Sequence, residues 1–201
     1  MTAKTRALVF GASGYIGTNL VPRLIEAGWQ VRAAARHRAV LEARDWQDVE
    51  LIAADALDPA TLPAALQDID VAFYLVHSMA AGRDFAQLDI EAAKNFATAA
   101  ADAGIKRIVY LGGLIPVNPR SLHLKSREET GDVLRHGTVP VTEIRAGMIV
   151  GPGSAAYEVI RDLVNYLPVM VTPRWVQSRS TPIALDNLLD YLVGVARLPE
   201  A

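Results

Sequence analysis

The sequence predicts an α/β fold, a doubly wound parallel sheet in strand order 3-2-1-4-5-6, on three observations. Short apolar runs alternate with segments of helical period along nearly the whole chain. The first run, Arg6-Ala7-Leu8-Val9-Phe10, is short, apolar and bounded by glycine, as a strand covered on both faces is. The first run leads straight into Gly11-Ala12-Ser13-Gly14-Tyr15-Ile16-Gly17, a glycine-spaced turn between a strand and a helix.

Composition bounds the function classes. With 201 residues and 51% hydrophobic content, the chain holds one full domain and hardly a second. A formal charge of -2 gives no electrostatic case for nucleic acid or an anionic membrane. The lack of cysteine excludes disulfides and cysteine-ligated zinc, and four scattered histidines without acidic partners at ligand spacing predict no metal site. No apolar run reaches the roughly 20 residues of a membrane span. Met1 to Lys4 leaves no room for a signal peptide, so a cytoplasmic protein is expected.

The elements follow in order. Arg6 to Phe10 is the first strand, and Ile16, Leu20, Leu24 and Ile25 mark a helix that ends at Ala27-Gly28. Gln30 to Ala35 is the second strand, running into a basic turn, Arg36-His37-Arg38. Val49 to Ala53 is the third, followed by Asp55 and a helix from Ala60 through Leu66. Val71 to Val76 is the fourth and delivers His77-Ser78-Met79 to the carboxyl edge of the sheet. Phe85, Leu88, Ala92, Phe96 and Ala99 set a fourth helix to about Ala103. Arg107 to Leu111 is the fifth strand, ending in Gly112-Gly113. Asn118-Pro119 reads as the cap and first turn of a fifth helix that lasts to His136-Gly137. Val139 to Arg145 is the sixth strand. Beyond Gly147 the pattern loosens into a helix at Tyr157 to Tyr166, a short strand at Val169 to Val171, an arginine-bearing segment at Pro173 to Pro182 and a closing helix at Leu185 to Leu198. The sequence thus reads as one domain over 1–201, with 152–184 a lid over the site, or as the N-terminal part of a longer chain.

The glycine turn carries the chemistry. One glycine turns the chain sharply, one admits a diphosphate against bare backbone, and one lets helix and strand approach. The helix N-terminus offers unpaired N–H groups to an anion. Gly11, Ser13, Gly14, Tyr15, Ile16 and Gly17 are therefore expected to cradle a dinucleotide, although such a pattern is also met in plain tight turns. Arg36, at the end of the second strand, suits a 2′-phosphate where a carboxylate would suit a free ribose hydroxyl, which favours NADP(H) over NAD(H). Asp55 and Ala56 are expected beside the adenine, and Leu75, Val76 and His77 beside the ribose and nicotinamide. Asp55 also reads as an ordinary helix cap.

Taken together, the glycine turn, Arg145-Ala146-Gly147-Met148-Ile149-Val150-Gly151-Pro152-Gly153 and Pro182-Ile183-Ala184-Leu185-Asp186-Asn187 resemble the short-chain dehydrogenase/reductase superfamily in its extended, atypical branch. Tyr74-Leu75-Val76-His77-Ser78-Met79, Tyr110-Leu111-Gly112-Gly113-Leu114 and His123-Leu124-Lys125-Ser126-Arg127 are similar to an NAD(P)H-binding, NmrA/epimerase-like subgroup. The resemblance implies a Rossmann sheet, and in that subgroup longer chains often carry a further C-terminal domain. Active members use a serine after the fifth strand and a tyrosine four residues before a lysine. Here those places hold Gly112 or Gly113, His123 and Arg127, so none of the usual groups is present.

His123 is the candidate proton donor in their stead, or water is, with His77 a second candidate; each also reads as a residue that packs or positions its loop. Gly112 and Arg127 are expected at the cofactor, with surface pairing of Arg127 to Glu128, Glu129 or Asp132 the alternative. Arg161, Arg174, Trp175 and Arg179 are expected to grip a substrate in the lid, or else to be solvated or packed. The reading is an NADP(H)-dependent oxidoreductase acting on a small carbonyl or quinone-like acceptor. Its rivals are a redox sensor or scaffold that holds the cofactor without turnover, and an enzyme like the nucleotide-sugar epimerases and dehydratases.

Overall fold

Burial on both sides of the strands decides the architecture. A computed structural model describes residues 5–77, 85–115, 121–166 and 181–199. Its elements are β1 (Arg6–Phe10), α1 (Tyr15–Glu26), β2 (Gln30–Ala35), α2 (Arg38–Glu42), β3 (Val49–Ala53), α3 (Leu62–Leu66), β4 (Val71–Tyr74), α4 (Phe85–Asp102), β5 (Arg107–Gly113), α5 (Leu122–Arg135), β6 (Val141–Ala146), β7 (Ile149–Val150), α6 (Ala155–Tyr166), β8 (Ile183–Ala184) and α7 (Leu185–Ala196). The six long strands form one parallel sheet in the order β3-β2-β1-β4-β5-β6, as the sequence predicts. The strand order reverses between β1 and β4, which opens a crevice at their carboxyl ends.

Two cores follow from the period of two along each strand. Leu8 and Phe10 face one side, with Tyr74, Ile108 and Tyr110, against Leu62 and Leu66 of α3, Phe96 of α4 and Leu134 of α5. Ala7 and Val9 face the other, with Ala33, Phe73 and Val109, against Leu20 and Leu24 of α1 and Leu188 and Leu192 of α7. Phe96 is the hub of the first core, its ring centroid 4.9 Å from Phe10 and 4.8 Å from Tyr74.

Two buried arginines tie helix ends to the sheet. Arg32 in β2 donates through Nη1 to the carbonyls of Ala64, Ala65 and Gln67 at the end of α3, and pairs through Nη2 with Glu50 at 2.8 Å. Arg107 in β5 does the same for α7, reaching Val195 O at 2.9 Å and Leu198 O at 2.7 Å. A guanidinium at a helix C-terminus meets both the unpaired carbonyls and the negative end of the dipole.

Several expectations are corrected. Arg36-His37-Arg38 is no simple turn, because α2 starts at Arg38 and buries Leu41. The fourth strand ends at Tyr74, and the sixth is shifted, running from Val141 to Ala146. The fifth strand runs through Gly113, since β6 continues the ladder to Gly112↔Arg145 and Gly113↔Ala146. The fifth helix starts at Leu122 after Ser121, and the proposed cap at Asn118-Pro119 lies outside the described residues. The closing helix stops at Ala196. The strand expected at Val169 to Val171 and most of the segment from Pro173 also lie outside the described residues. Unforeseen was the parallel pair β7 and β8, which joins the two ends of the loose region through Ile149↔Ile183. Among the described residues, no helix is long and apolar enough to cross a membrane.

Candidate dinucleotide cleft

The glycine turn closes as its spacing requires. Gly11 adopts φ +95°, and a Cβ there would lie 3.0 Å from the Leu75 carbonyl at the exit of β4. A Cβ on Gly17 would lie 2.5 Å from Gly11 O and 2.7 Å from Ala12 Cα, so α1 can start this close to β1 only without a side chain there. Gly14 is the N-cap of α1, with no side-chain cap and no acidic residue in the first turn. The helix therefore presents its N-terminal N–H groups and positive dipole end to the crevice.

A cleft of about 390 Å³ opens above this turn, within the size range of small-molecule sites. Gly11, Ser13 and Gly14 form its floor, and Arg36 stands at the end of β2. Asp55 and Ala56 line it after β3, and Leu75, Val76 and His77 after β4, with Leu88 and Ala92 of α4 closing the side. The structure thus brings nine of the predicted positions to one cavity. Arg36 is exposed and makes no ion pair or hydrogen bond among the described residues, whereas Arg38 is bound to Glu42 and Leu51 O, each at 2.8 Å. Asp55 uses Oδ1 to accept from the Leu57 N–H at 3.0 Å, which holds its own turn and leaves Oδ2. Sequence reasoning missed Arg44, whose guanidinium reaches the Ser13 carbonyl at 3.4 Å from beyond α2.

The remaining predicted positions lie outside this cavity. The Tyr15 ring is directed at the turn after β7, where Cβ atoms on Gly151 and Gly153 would lie 2.8 Å from its hydroxyl and 3.7 Å from Cε2. Ile16 packs against the second core and Gly17 is buried, so both have only main chain to offer a ligand. Gly112 is covered by Glu143, whose Oε1 would lie 2.5 Å from a Cβ at that position. Arg127 turns inward rather than pairing along α5. Its Nη1 reaches Leu111 O at 3.4 Å, and it makes no ion pair among the described residues. Burial pushes this guanidinium below the ordinary arginine value, against the pull of Tyr110 and Asp89. Tyr110 donates to Arg127 O at 3.0 Å, and burial pushes its own hydroxyl up to about 12, so it stays protonated at neutral pH.

His123 is exposed in the first turn of α5 and stacked on Phe85, with ring centroids 4.5 Å apart. Arg161 is engaged by Asp162 at 2.9 Å and by Glu158 on its own helix, and Arg174, Trp175 and Arg179 lie outside the described residues.

A buried polar cluster that the sequence did not disclose sits beside the cleft. Asp89 of α4, 3% exposed, places Oδ2 3.0 Å from His77 Nδ1 and accepts from the Ser126 hydroxyl of α5 at 2.9 Å. The signal was present: Asp89 falls four residues after Phe85 and seven before Phe96, an acid on the apolar stripe of α4.

The residues present fit a dinucleotide. The floor is bare backbone at a helix start without a side-chain cap, and the Arg36 guanidinium, unpaired among the described residues, stands at the end of β2. Comparison with known proteins agrees with the fold. A cinnamoyl-CoA reductase 1 of Oryza sativa subsp. japonica is 32% identical over 126 residues, covering 58% of this chain and 37% of that protein. The chloroplastic divinyl chlorophyllide a 8-vinyl-reductase of Cucumis sativus is 29% identical over 128 residues, covering 57% and 30%. The chain thus spans about a third of the length of these curated relatives. Pen from Bacillus thuringiensis superposes with a TM-score of 0.78 at 17% identity, over 98% of this chain and 66% of that one. A DesIV double mutant, a dTDP-glucose 4,6-dehydratase of Streptomyces venezuelae solved with NAD and DAU bound, superposes with a TM-score of 0.78 at 19% identity, over 95% and 71%. At these identities the superpositions speak for the fold. The model of the NmrA-like family matches residues 3–126, from the start of β1 into α5, and the chain belongs to that family, within the atypical branch of the short-chain dehydrogenase/reductases.

Proposed function

We propose that the chain is an NADP(H)-binding oxidoreductase that reduces a small carbonyl or quinone-like acceptor. The observation that carries the reading is the pairing, across one cleft, of an uncapped α1 N-terminus with an Arg36 that has no partner among the described residues. The diphosphate would lie on the N–H groups of the glycine turn, and Arg36 would take the 2′-phosphate. Asp55 would accept from the adenine edge, and Arg127 would meet the cofactor at the β5 end. When bound, a reduced nicotinamide supplies a hydride, and the protein supplies alignment and a proton. The two curated relatives named above are both called reductases, which supports this class. We take residues 1–201 as one cofactor-binding domain with 152–184 as its lid, acting in the cytoplasm.

A second reading, a sensor that holds NADP(H) without turnover, is favoured by one observation: glycines, His123 and Arg127 stand where active superfamily members carry serine, tyrosine and lysine. The test is calorimetric and thermal-shift titration with NADPH, NADP, NADH and NAD, because a ligand of the folded state raises apparent stability. NADPH should bind most tightly. Arg36→Asp should remove charge-assisted bonds of about 1.5–3 kcal/mol, lowering NADPH affinity roughly tenfold or more while sparing NADH. Equal loss for both cofactors refutes the phosphate assignment. Turnover with an acceptor panel separates the reductase from the sensor.

A further inference from the structure

Three segments far apart in sequence meet where β4 opens onto the cleft. His77 leaves the strand, Asp89 lies one turn into α4, and Ser126 lies one turn into α5. A carboxylate as deeply buried as Asp89 is costly unless donors surround it. Two do so on one oxygen: the Ser126 hydroxyl at 2.9 Å and His77 Nδ1 at 3.0 Å. With Asp89 ionised the carboxylate only accepts, and the proton between the ring and Asp89 is then carried by Nδ1. In the neutral ring, Nε2 is then bare.

Nε2 is buried and has no hydrogen-bond partner among the described residues, while His77 itself lines the cleft. An orphaned buried polar atom costs about 1–3 kcal/mol, a cost that packing alone gives no reason to keep. The orphan is accounted for when its partner arrives with a ligand. His123, by contrast, is exposed and does not line the cavity.

We infer that His77 is the proton-exchanging residue of the site, and that Asp89 and Ser126 are positioning residues that hold its ring with Nε2 turned to the acceptor. The inference rests on the reading of the cleft as a nicotinamide dinucleotide site. As the carbonyl carbon of the acceptor receives the hydride and its electron pair, the C=O π pair moves onto oxygen, which takes the Nε2 proton of the imidazolium. The ring is left neutral with its Nδ1 proton still on Asp89, and water returns the Nε2 proton. Asp89 opposes the charge of the imidazolium, as a carboxylate behind a catalytic histidine does.

The test uses the full chain and four proteins: wild type, His77→Gln, Asp89→Asn and Ser126→Ala. NADPH affinity is measured by calorimetry. The ring tautomer is read from ¹⁵N NMR of histidine-labelled protein without cofactor, with His77 assigned by loss of its signals in His77→Gln. NADPH oxidation is followed with 4-nitrobenzaldehyde and with 1,4-benzoquinone. The expected result is a protonated Nδ1 and bare Nε2 in wild type. His77→Gln should bind NADPH within about threefold of wild type but lose about 10²- to 10⁴-fold in kcat. Asp89→Asn should move the ring proton to Nε2 and lower kcat with KM little changed, and Ser126→Ala should act in the same direction more weakly. Should Asp89→Asn fail to fold, His77→Gln and the wild-type tautomer still decide.

A wild-type ring protonated on Nε2 alone, His77→Gln at the wild-type rate, or NADPH-loaded wild type that reduces neither acceptor overturns the assignment. Wild type that takes up no pyridine nucleotide refutes the cofactor reading itself, a failure seen before any variant is made.

Discussion

Replacing Gly17 by alanine tests whether the turn is set by space rather than by glycine's flexibility. The residue is helical, and its new Cβ would sit 2.5 Å from Gly11 O and 2.7 Å from Ala12 Cα, both main-chain atoms that cannot swing aside. The start of α1 must therefore move away from β1. Overpacking costs about 1–3 kcal/mol, and with main-chain neighbours that cannot yield it falls at the upper end, about 2–3 kcal/mol; alanine's better helix propensity returns about 1 kcal/mol, leaving a net loss of about 1–2 kcal/mol. For a chain of this length that lowers Tm by about 2–8 °C. Gly194 in α7 is the internal control, because nothing lies within 4 Å of a Cβ there. Gly194→Ala should raise Tm by about 1–4 °C, from a gain of about 0.5–1 kcal/mol. The assay is differential scanning calorimetry of both variants, repeated with saturating NADPH. On the proposed reading, Gly17→Ala should also lose most of the cofactor-induced shift, since the N–H groups move with the helix. If Gly17→Ala is as stable as wild type, the close approach of α1 to β1 does not constrain this position and the argument fails.

Two further predictions concern the frame. Arg107→Gln should leave carbonyls of Val195 and Leu198 without their charged donor, at about 1.5–3 kcal/mol, so α7 should lose amide-exchange protection before the sheet does; uniform loss would refute the capping role. At Asp70, burial raises the pKa but is outweighed by the Arg6 N–H at 2.8 Å and by Lys106 at 2.7 Å, and the net result is a carboxyl held below its usual value. A depressed folded-state pKa stabilises above the unfolded value and is lost as pH falls through the folded one. Stability measured by urea unfolding should thus decline on the acid side, and Asp70→Asn should flatten that decline while lowering stability at neutral pH. An unchanged acid limb would contradict the assignment.

The central strands were legible because they are buried on both faces, and β1, β2 and β3 fall where the sequence puts them. The glycine turn was legible for the same kind of reason: Gly11 and Gly17 answer to local backbone geometry. What could not be read depends on partners distant in sequence. Arg32 and Arg107 interrupt apolar runs, and only the folded chain shows that they cap helices one crossover away or at the far end of the chain. Gly112 reads as a loop glycine until β6 is placed beside it and Glu143 fills the space. β7 and β8 are too short for periodicity and exist only as each other's partner. His77 was visible as a lone histidine at a strand exit, but its carboxylate lies on α4 and the serine on α5, so its environment had no local signature.

That same corner explains how the chain departs from its superfamily's plan. The resemblance puts a tyrosine and a lysine four residues apart at the start of this helix, and here those places hold His123 and Arg127. The two do not act together: Phe85 takes the imidazole onto the outside of α5, while the guanidinium folds under toward Leu111. A permanent cation at the β5 end is well made for holding an anionic group and poorly made for giving up a proton, because arginine does not titrate near neutrality. On the proposed reading, proton exchange and charge binding are therefore divided between two elements. The proton belongs to the β4 exit, where Asp89 and Ser126 aim His77 from behind, and the charge belongs to α5. Such a division predicts that Arg127→His will not recover activity lost at 77, since the side chain at 127 folds under toward Leu111 and does not line the cleft that His77 lines.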